Sequence, residues 1–312
     1  MEPDFTNQHR SIEPWFDRNG FAPWVVAIIW IIITFILFQA GGAVFALIGI
    51  IVSPNLEFSI EALEQLSGEV GILFWANTIS QVLFLALGTW IFARLSVRNP
   101  SERTEFFRLQ APGGTMEISF LTILLILAIQ PMVWLLSWIN MQLPVPETLI
   151  AFEQGQMEMI EQILTGEYLI MLTIMHVALV PAICEEVLYR GYILRLFERS
   201  WGIWAAIIIS GAIFGLYHLR LTQVIPLATI GMVLAWVTIK SGSLIPAIVG
   251  HFVNNAGSVI AAHMRPDLMF DEEITTELPS LWLILVSAVV SIILFMAVIQ
   301  IANMHQKNRE AV

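Results

Sequence analysis

Glu185 and Glu186 stand side by side in an apolar run, with Arg190 four positions after the second carboxylate. His218 follows Phe214 at the same spacing, and Asn255 follows His251. Residues four apart lie on one face of a helix. At about 100° per residue, Glu186 and Arg190 are about 40° apart and can pair, whereas Glu185 points about 100° away from Glu186 and stays free. One unpaired carboxylate, two imidazoles and one amide are the parts for activating water by a general base and for stabilising an oxyanion. The ion pair would hold the carboxylate helix in place.

Each of these pairs also has a plainer use. Glu186 with Arg190 reads as a structural ion pair even inside an active site. A lone His218 at a helix end suits an interface, and His251 with Asn255 suits a polar clasp between helices. His176, nine residues before Glu185 and on the opposite face, reads as structural or interfacial, as does His263. Cys184 is an inert core residue. The G-x-x-x-G spacing of Gly211 and Gly215 marks close helix packing.

What would make these pairs one site is a common depth, and depth follows from the elements that carry them. The chain has 312 residues, 57% hydrophobic and 12% charged, with a mean hydropathy of +0.79. A soluble protein is about one-quarter charged. The composition excludes a disordered chain, a collagen-like fibre and a nucleic-acid binder, and it argues against an ordinary cytosolic enzyme. A net charge of -11 disfavours anionic partners, and a single cysteine excludes an intramolecular disulfide and a multi-cysteine metal site.

A helical span needs roughly 20 apolar residues with few charges. The stretch 21–53 has none, so it reads as an uncleaved first helix. Further spans are expected over 71–93, 118–140, 169–195, 202–218, 224–240, 245–263 and 281–302. The expected fold is an all-α polytopic membrane bundle of about eight helices, with a cytoplasmic segment 1–20, a transmembrane domain 21–302 and a cytoplasmic tail 303–312. Pro131, Pro181, Pro226 and Pro246 fall in or beside spans, where neighbouring helices tolerate them. Thr148 to Leu164 reads as a short interfacial helix.

Basic residues set the orientation. Arg10, Arg18, Arg94, Arg98, Arg103, Arg108, Arg195, Arg199, Lys240, Lys307 and Arg309 fall on one side, which makes both termini cytoplasmic. The other side carries Arg220 and Arg265 among many acids: Glu57, Glu61, Glu64, Glu69, Glu147, Glu153, Glu158, Glu161, Glu167, Asp267, Asp271, Glu272, Glu273 and Glu277.

From Glu185 to the turn at Ser200, Trp201 and Gly202 is about 16 residues, or roughly 24 Å of helix, and His218 lies about as far back along the next helix. An antiparallel hairpin therefore sets the two side by side. His251 rises roughly 13 Å above the turn at Lys240 to Ser243. The fourth and fifth helices project further into the cytoplasm, where Arg195 and Arg199 would be solvated, so the three levels coincide near mid-membrane. Ionisable groups there are costly and mark function.

The runs Pro181 to Gly191, Phe214 to His218 and His251 to Asn255 resemble the CAAX protease and bacteriocin-processing family, the type II CAAX prenyl endopeptidase-like intramembrane proteases. The family's E-E-x-x-x-R, F-x-x-x-H and H-x-x-x-N motifs occur here in order on successive helices, and the likeness covers about 168–263. It implies that Glu185 activates water with His218, that His251 and Asn255 stabilise the oxyanion, and that Glu186 and Arg190 orient the site. The very short connections between helices five, six and seven depart from eukaryotic members. They imply a bacterial member in the plasma (inner) membrane and argue against a prenylated substrate. The partners are then membrane lipid and a membrane-associated peptide or protein, with no nucleic acid.

Glu185, His218 and His251 could also supply a His₂Glu zinc site with an open position for water. No H-E-x-x-H is present, and metal-free catalysis is the preferred expectation. The alternative to an enzyme is a non-catalytic immunity or scaffold protein, or a small ion-binding transporter, on the same fold. A transporter would favour internal repeats and paired broken helices, and neither is evident.

Overall fold

The computed structural model describes residues 15–53, 70–166, 169–270 and 277–310. The N-terminal charges Glu2, Asp4, Arg10 and Glu13 lie outside these residues, as do Glu57, Glu61, Glu64, Glu69, Glu167, Asp271, Glu272 and Glu273.

Long uncharged runs become long helices. The first, α1 (Pro23–Val52), opens on a proline, which suits a first helical turn because its missing N–H would have no partner there. It is followed by α2 (Val70–Leu95), the short α3 (Pro100–Phe106), α4 (Thr115–Ala128) and α5 (Gln130–Met141). The amphipathic α6 (Glu147–Thr165) leads to α7 (Ile170–Trp201), α8 (Ile203–Tyr217), α9 (Leu221–Ser241), α10 (Ile245–Met264), the single turn α11 (Pro266–Phe270) and α12 (Leu281–Glu310).

The molecule is a polytopic all-α bundle. Among the described residues six helices are long and apolar enough to cross a membrane, and α4 with α5, bent by 46°, makes a seventh if the pair counts as one span. Pro131 stands at that bend, where it removes one backbone donor, and the Gln130 side chain donates to the Ile126 carbonyl at 2.8 Å. The fifth expected span is the shorter α8. Outward faces remain apolar, as at Ile36, Val52, Leu285 and Val289, as a lipid solvent requires.

The centre of the bundle is α7. It packs against α1, α2, α8 and α10, and in its second half Leu188 to Phe197 are buried except for Arg195. Its neighbour α8 lies close against α9. A Cβ on Gly211 would collide with Met232, and one on Gly215 would come within 2.6 Å of the Val224 carbonyl. The G-x-x-x-G stripe therefore sets this approach, as expected.

Two expectations about charged residues need correcting. Glu153 belongs to no solvated acidic loop. It is buried in α6, and its carboxylate accepts from the Leu221 and Thr222 amides at 2.6 Å and 3.1 Å and from the Thr222 hydroxyl. Burial is tolerable because those donors are otherwise orphaned at the start of α9. Nor is Arg195 simply solvated: its Nε donates to the Phe106 carbonyl at 2.9 Å, and its guanidinium lies 3.5 Å from Glu198. Glu198 in turn takes a two-pronged contact from the buried Arg108, at 2.8 Å and 2.9 Å.

Candidate active site

The α-helical segment Val180–Glu186 of α7 sits between two π-helical segments, Ile174–Leu179 and Val187–Ile193. Such insertions re-aim side chains and are frequent at functional sites. Glu186 is 0% exposed and Arg190 1%, and Nη1 of the arginine donates to Oε1 of the glutamate at 2.6 Å. The other end of the guanidinium donates to the Gly231 carbonyl at 3.0 Å, and its carbon lies 4.4 Å from the centre of the Phe214 ring. Gly231 also lets α8 come close, because a Cβ there would stand 3.0 Å from Gly211 and 3.1 Å from Phe214.

The same Glu186 oxygen also takes His251, whose Nδ1 lies 2.8 Å away. A carboxylate acceptor fixes the proton on Nδ1 and turns Nε2 outward. That Nε2 faces Glu185 Oε2 at 4.0 Å. Glu185 keeps 14% of its side-chain surface, and its Oε2 is buried without a hydrogen-bond partner among the described residues. The two adjacent carboxylates thus have opposite settings. Glu186 takes a guanidinium and an imidazole on Oε1, its Oε2 being unpartnered among the described residues, whereas Glu185 has no hydrogen bond there on either oxygen.

His218 closes α8. Its Nδ1 donates to the Phe214 carbonyl at 2.8 Å, which leaves Nε2 as the acceptor. Phe214 is the wall between the imidazoles, with its ring 4.8 Å from His218 and 5.7 Å from His251. Among the described residues no hydrogen bond or ion pair joins His218 to Glu185. Directly after it, Leu219 is left-handed at φ 54°, a conformation that costs a non-glycine residue about 1–2 kcal/mol. The buried Glu153 and Asn140 lock the next turn. Asn140 accepts from the Ile225 amide and donates to the Leu221 carbonyl, each at 2.7 Å.

Asn255 donates to the Val177 carbonyl at 3.2 Å. Pro181 stands four residues after Val177 and has no N–H to offer it, so the asparagine supplies the missing donor. Its second N–H remains available, while its oxygen accepts from Asn254 at 3.2 Å. His176 lies apart from the cluster, bonded to Thr78 at 2.6 Å and stacked on Phe74, and Cys184 is a buried free thiol.

The structure therefore brings Glu185, Glu186, Arg190 and His251 together, with His218 joined to them through Phe214 and Asn255 bonded to α7 at Val177. Among the described residues no three His, Cys, Asp or Glu side chains are grouped to hold a metal ion, and Glu185, His218 and His251 as they stand do not fit one. Sequence reasoning missed the bond from His251 to Glu186 and the capping of α9 by Glu153 and Asn140. Both join residues far apart in the chain, and no local spacing signals them.

Every residue of the cluster falls in the segment that matches a known family. Residues 167–257 match the family model described as type II CAAX prenyl endopeptidase Rce1-like. No curated protein and no solved structure gave a significant match. The match agrees with the three motifs and covers the helices that carry the site.

Proposed function

We propose that this integral membrane protein is an endopeptidase that hydrolyses a peptide bond in or near the bilayer with water activated by Glu185. The observation that carries the reading is the buried, unpartnered Oε2 of Glu185 facing His251 Nε2, while Oε1 of Glu186 beside it takes both Arg190 and His251.

In this mechanism Glu185, assisted by the acceptor nitrogen of His218, takes a proton from water as its oxygen bonds to the carbonyl carbon. Charge builds on the carbonyl oxygen. His251, held on Glu186 through Nδ1 and carrying a second proton on Nε2 in this step, donates to that oxygen, and the second N–H of Asn255 joins it. The proton held by Glu185 passes to the leaving nitrogen as the C–N bond breaks, which restores the carboxylate. Arg190 balances Glu186 so that the centre does not accumulate negative charge in a poorly solvating medium.

The short links between α8 and α9 and between α9 and α10 favour a bacterial inner-membrane member with a peptide substrate that carries no prenyl group. Two measurements test the reading. The purified full chain, in detergent, is given a panel of fluorogenic peptides, and membrane peptides are compared by proteomics between wild type and Glu185→Gln. Cleavage lost in Glu185→Gln with unchanged folding supports the endopeptidase. Peptide profiles that do not differ, with no cleavage by wild type, favour a non-catalytic scaffold.

A further inference from the structure

Tyr189 lies four residues after Glu185 on α7 and is 0% exposed, yet its hydroxyl has no hydrogen-bond partner among the described residues. Its ring packs edge-on to Phe214 at 5.2 Å and to Tyr217 at 5.6 Å, so it forms the same wall that touches both imidazoles. The Tyr217 hydroxyl, one residue before His218, is also buried without a partner. Thr34 stands beside it and directs its own proton to the carbonyls of Trp30 and Ile31, so it can meet Tyr217 only as an acceptor, which leaves the Tyr217 oxygen free to accept. The Glu185 carboxylate is near enough to act electrostatically on both phenols.

Three orphaned polar groups on one wall need an explanation, because a buried hydroxyl without a partner costs about 1–3 kcal/mol. Internal water needs two to four polar partners, and these groups offer that number. We propose that Tyr189 and Tyr217 hold a water molecule against Glu185, a store of the hydrolytic reagent in a membrane that otherwise excludes it. The role of that water in hydrolysis rests on the endopeptidase reading; its position does not. The two tyrosines are positioning residues, acting through the water.

The molecule contains its own control. Tyr192 is equally buried, but its hydroxyl is paired with Ser96 at 2.6 Å. X-ray radiolysis of the full chain in detergent, read by mass spectrometry, hydroxylates buried side chains where bound water sits beside them. Tyr189 is expected to label readily and Tyr192 to stay protected. Equal protection of the two would overturn the proposal. In the same preparation, Tyr189→Phe should lower kcat about 10–100-fold, the scale of one hydrogen bond, with KM within about twofold. Wild-type kcat in Tyr189→Phe despite labelling would remove the positioning role. Labelling at Tyr189 without any cleavage by wild type would sink the endopeptidase reading and leave the water site standing.

Discussion

His251 donates from Nδ1 to Glu186 Oε1 at 2.8 Å, to the same oxygen that receives Arg190 at 2.6 Å. One buried carboxylate therefore ties α7 to α10 and fixes which nitrogen of the imidazole is free. Arg190 continues the link to α9 through the Gly231 carbonyl. Glu186 is accordingly both a stability residue and the group that aims His251.

These two roles separate by substitution. Glu186→Ala leaves Arg190 buried without its counter-charge and should cost about 3–5 kcal/mol, visible as a large fall in Tm in detergent. Glu186→Gln keeps an acceptor oxygen for His251 and Arg190 but removes the negative charge between them. It should lower kcat with a smaller loss of Tm. Equal Tm for Glu186→Ala and wild type would show that the pair carries no structural weight.

Asn255 makes a different demand, because the structure gives it a bond to Val177 of α7 as well as an N–H to spare. Asn255→Ala should reduce turnover by about 10²–10³-fold if that N–H stabilises the oxyanion. It should also lower stability by about 1–3 kcal/mol, because the Val177 carbonyl loses its donor beside Pro181. A loss of stability with unchanged kcat would confine Asn255 to that bond.

Much of this was legible in the chain because lipid is a simple solvent. Hydropathy placed the start of each expected span within three residues of a helix start, though not every end, and i,i+4 spacing paired Glu186 with Arg190 and left Glu185 open. The same spacing could not show that Glu186 receives His251 from 65 positions away. It also misled at Glu153, where an acid in a loop-like stretch reads as solvated. Only the packing of α6 shows that it meets the orphaned amides at the start of α9. The π-helical segments leave no mark in hydropathy, since they alter register and not composition.

Glu153 supports a prediction of its own. Glu153→Ala removes the acceptor for two backbone amides and a hydroxyl, and should cost about 1–2 kcal/mol, the scale of a lost helix cap. Because the capped turn begins three residues after His218, kcat should fall as well. Glu153→Gln retains one acceptor oxygen and should recover part of both. A Tm for Glu153→Ala matching wild type would show that α6 is not anchored by this carboxylate.

Orientation can be tested with the lone cysteine removed. Cys184 is buried, so Cys184→Ala gives a background in which single cysteines report sidedness to a membrane-impermeant thiol reagent. Glu158 is exposed on α6, and Lys307 is exposed on α12. The excess of Lys and Arg beside the termini and in the link from α2 to α4 argues that this face is cytoplasmic, since the bias acts through short loops near span ends. Lys307→Cys should therefore label only after the membrane is opened from outside, and Glu158→Cys should label in intact cells. The number of crossings enters the same experiment, because α8 must count as a span, and α4 with α5 as one, for both termini to share a side. Labelling of Lys307→Cys in intact cells would place the C-terminus outside. With α8 and the bent pair fixed as crossings, it would reverse the orientation read from the arginines.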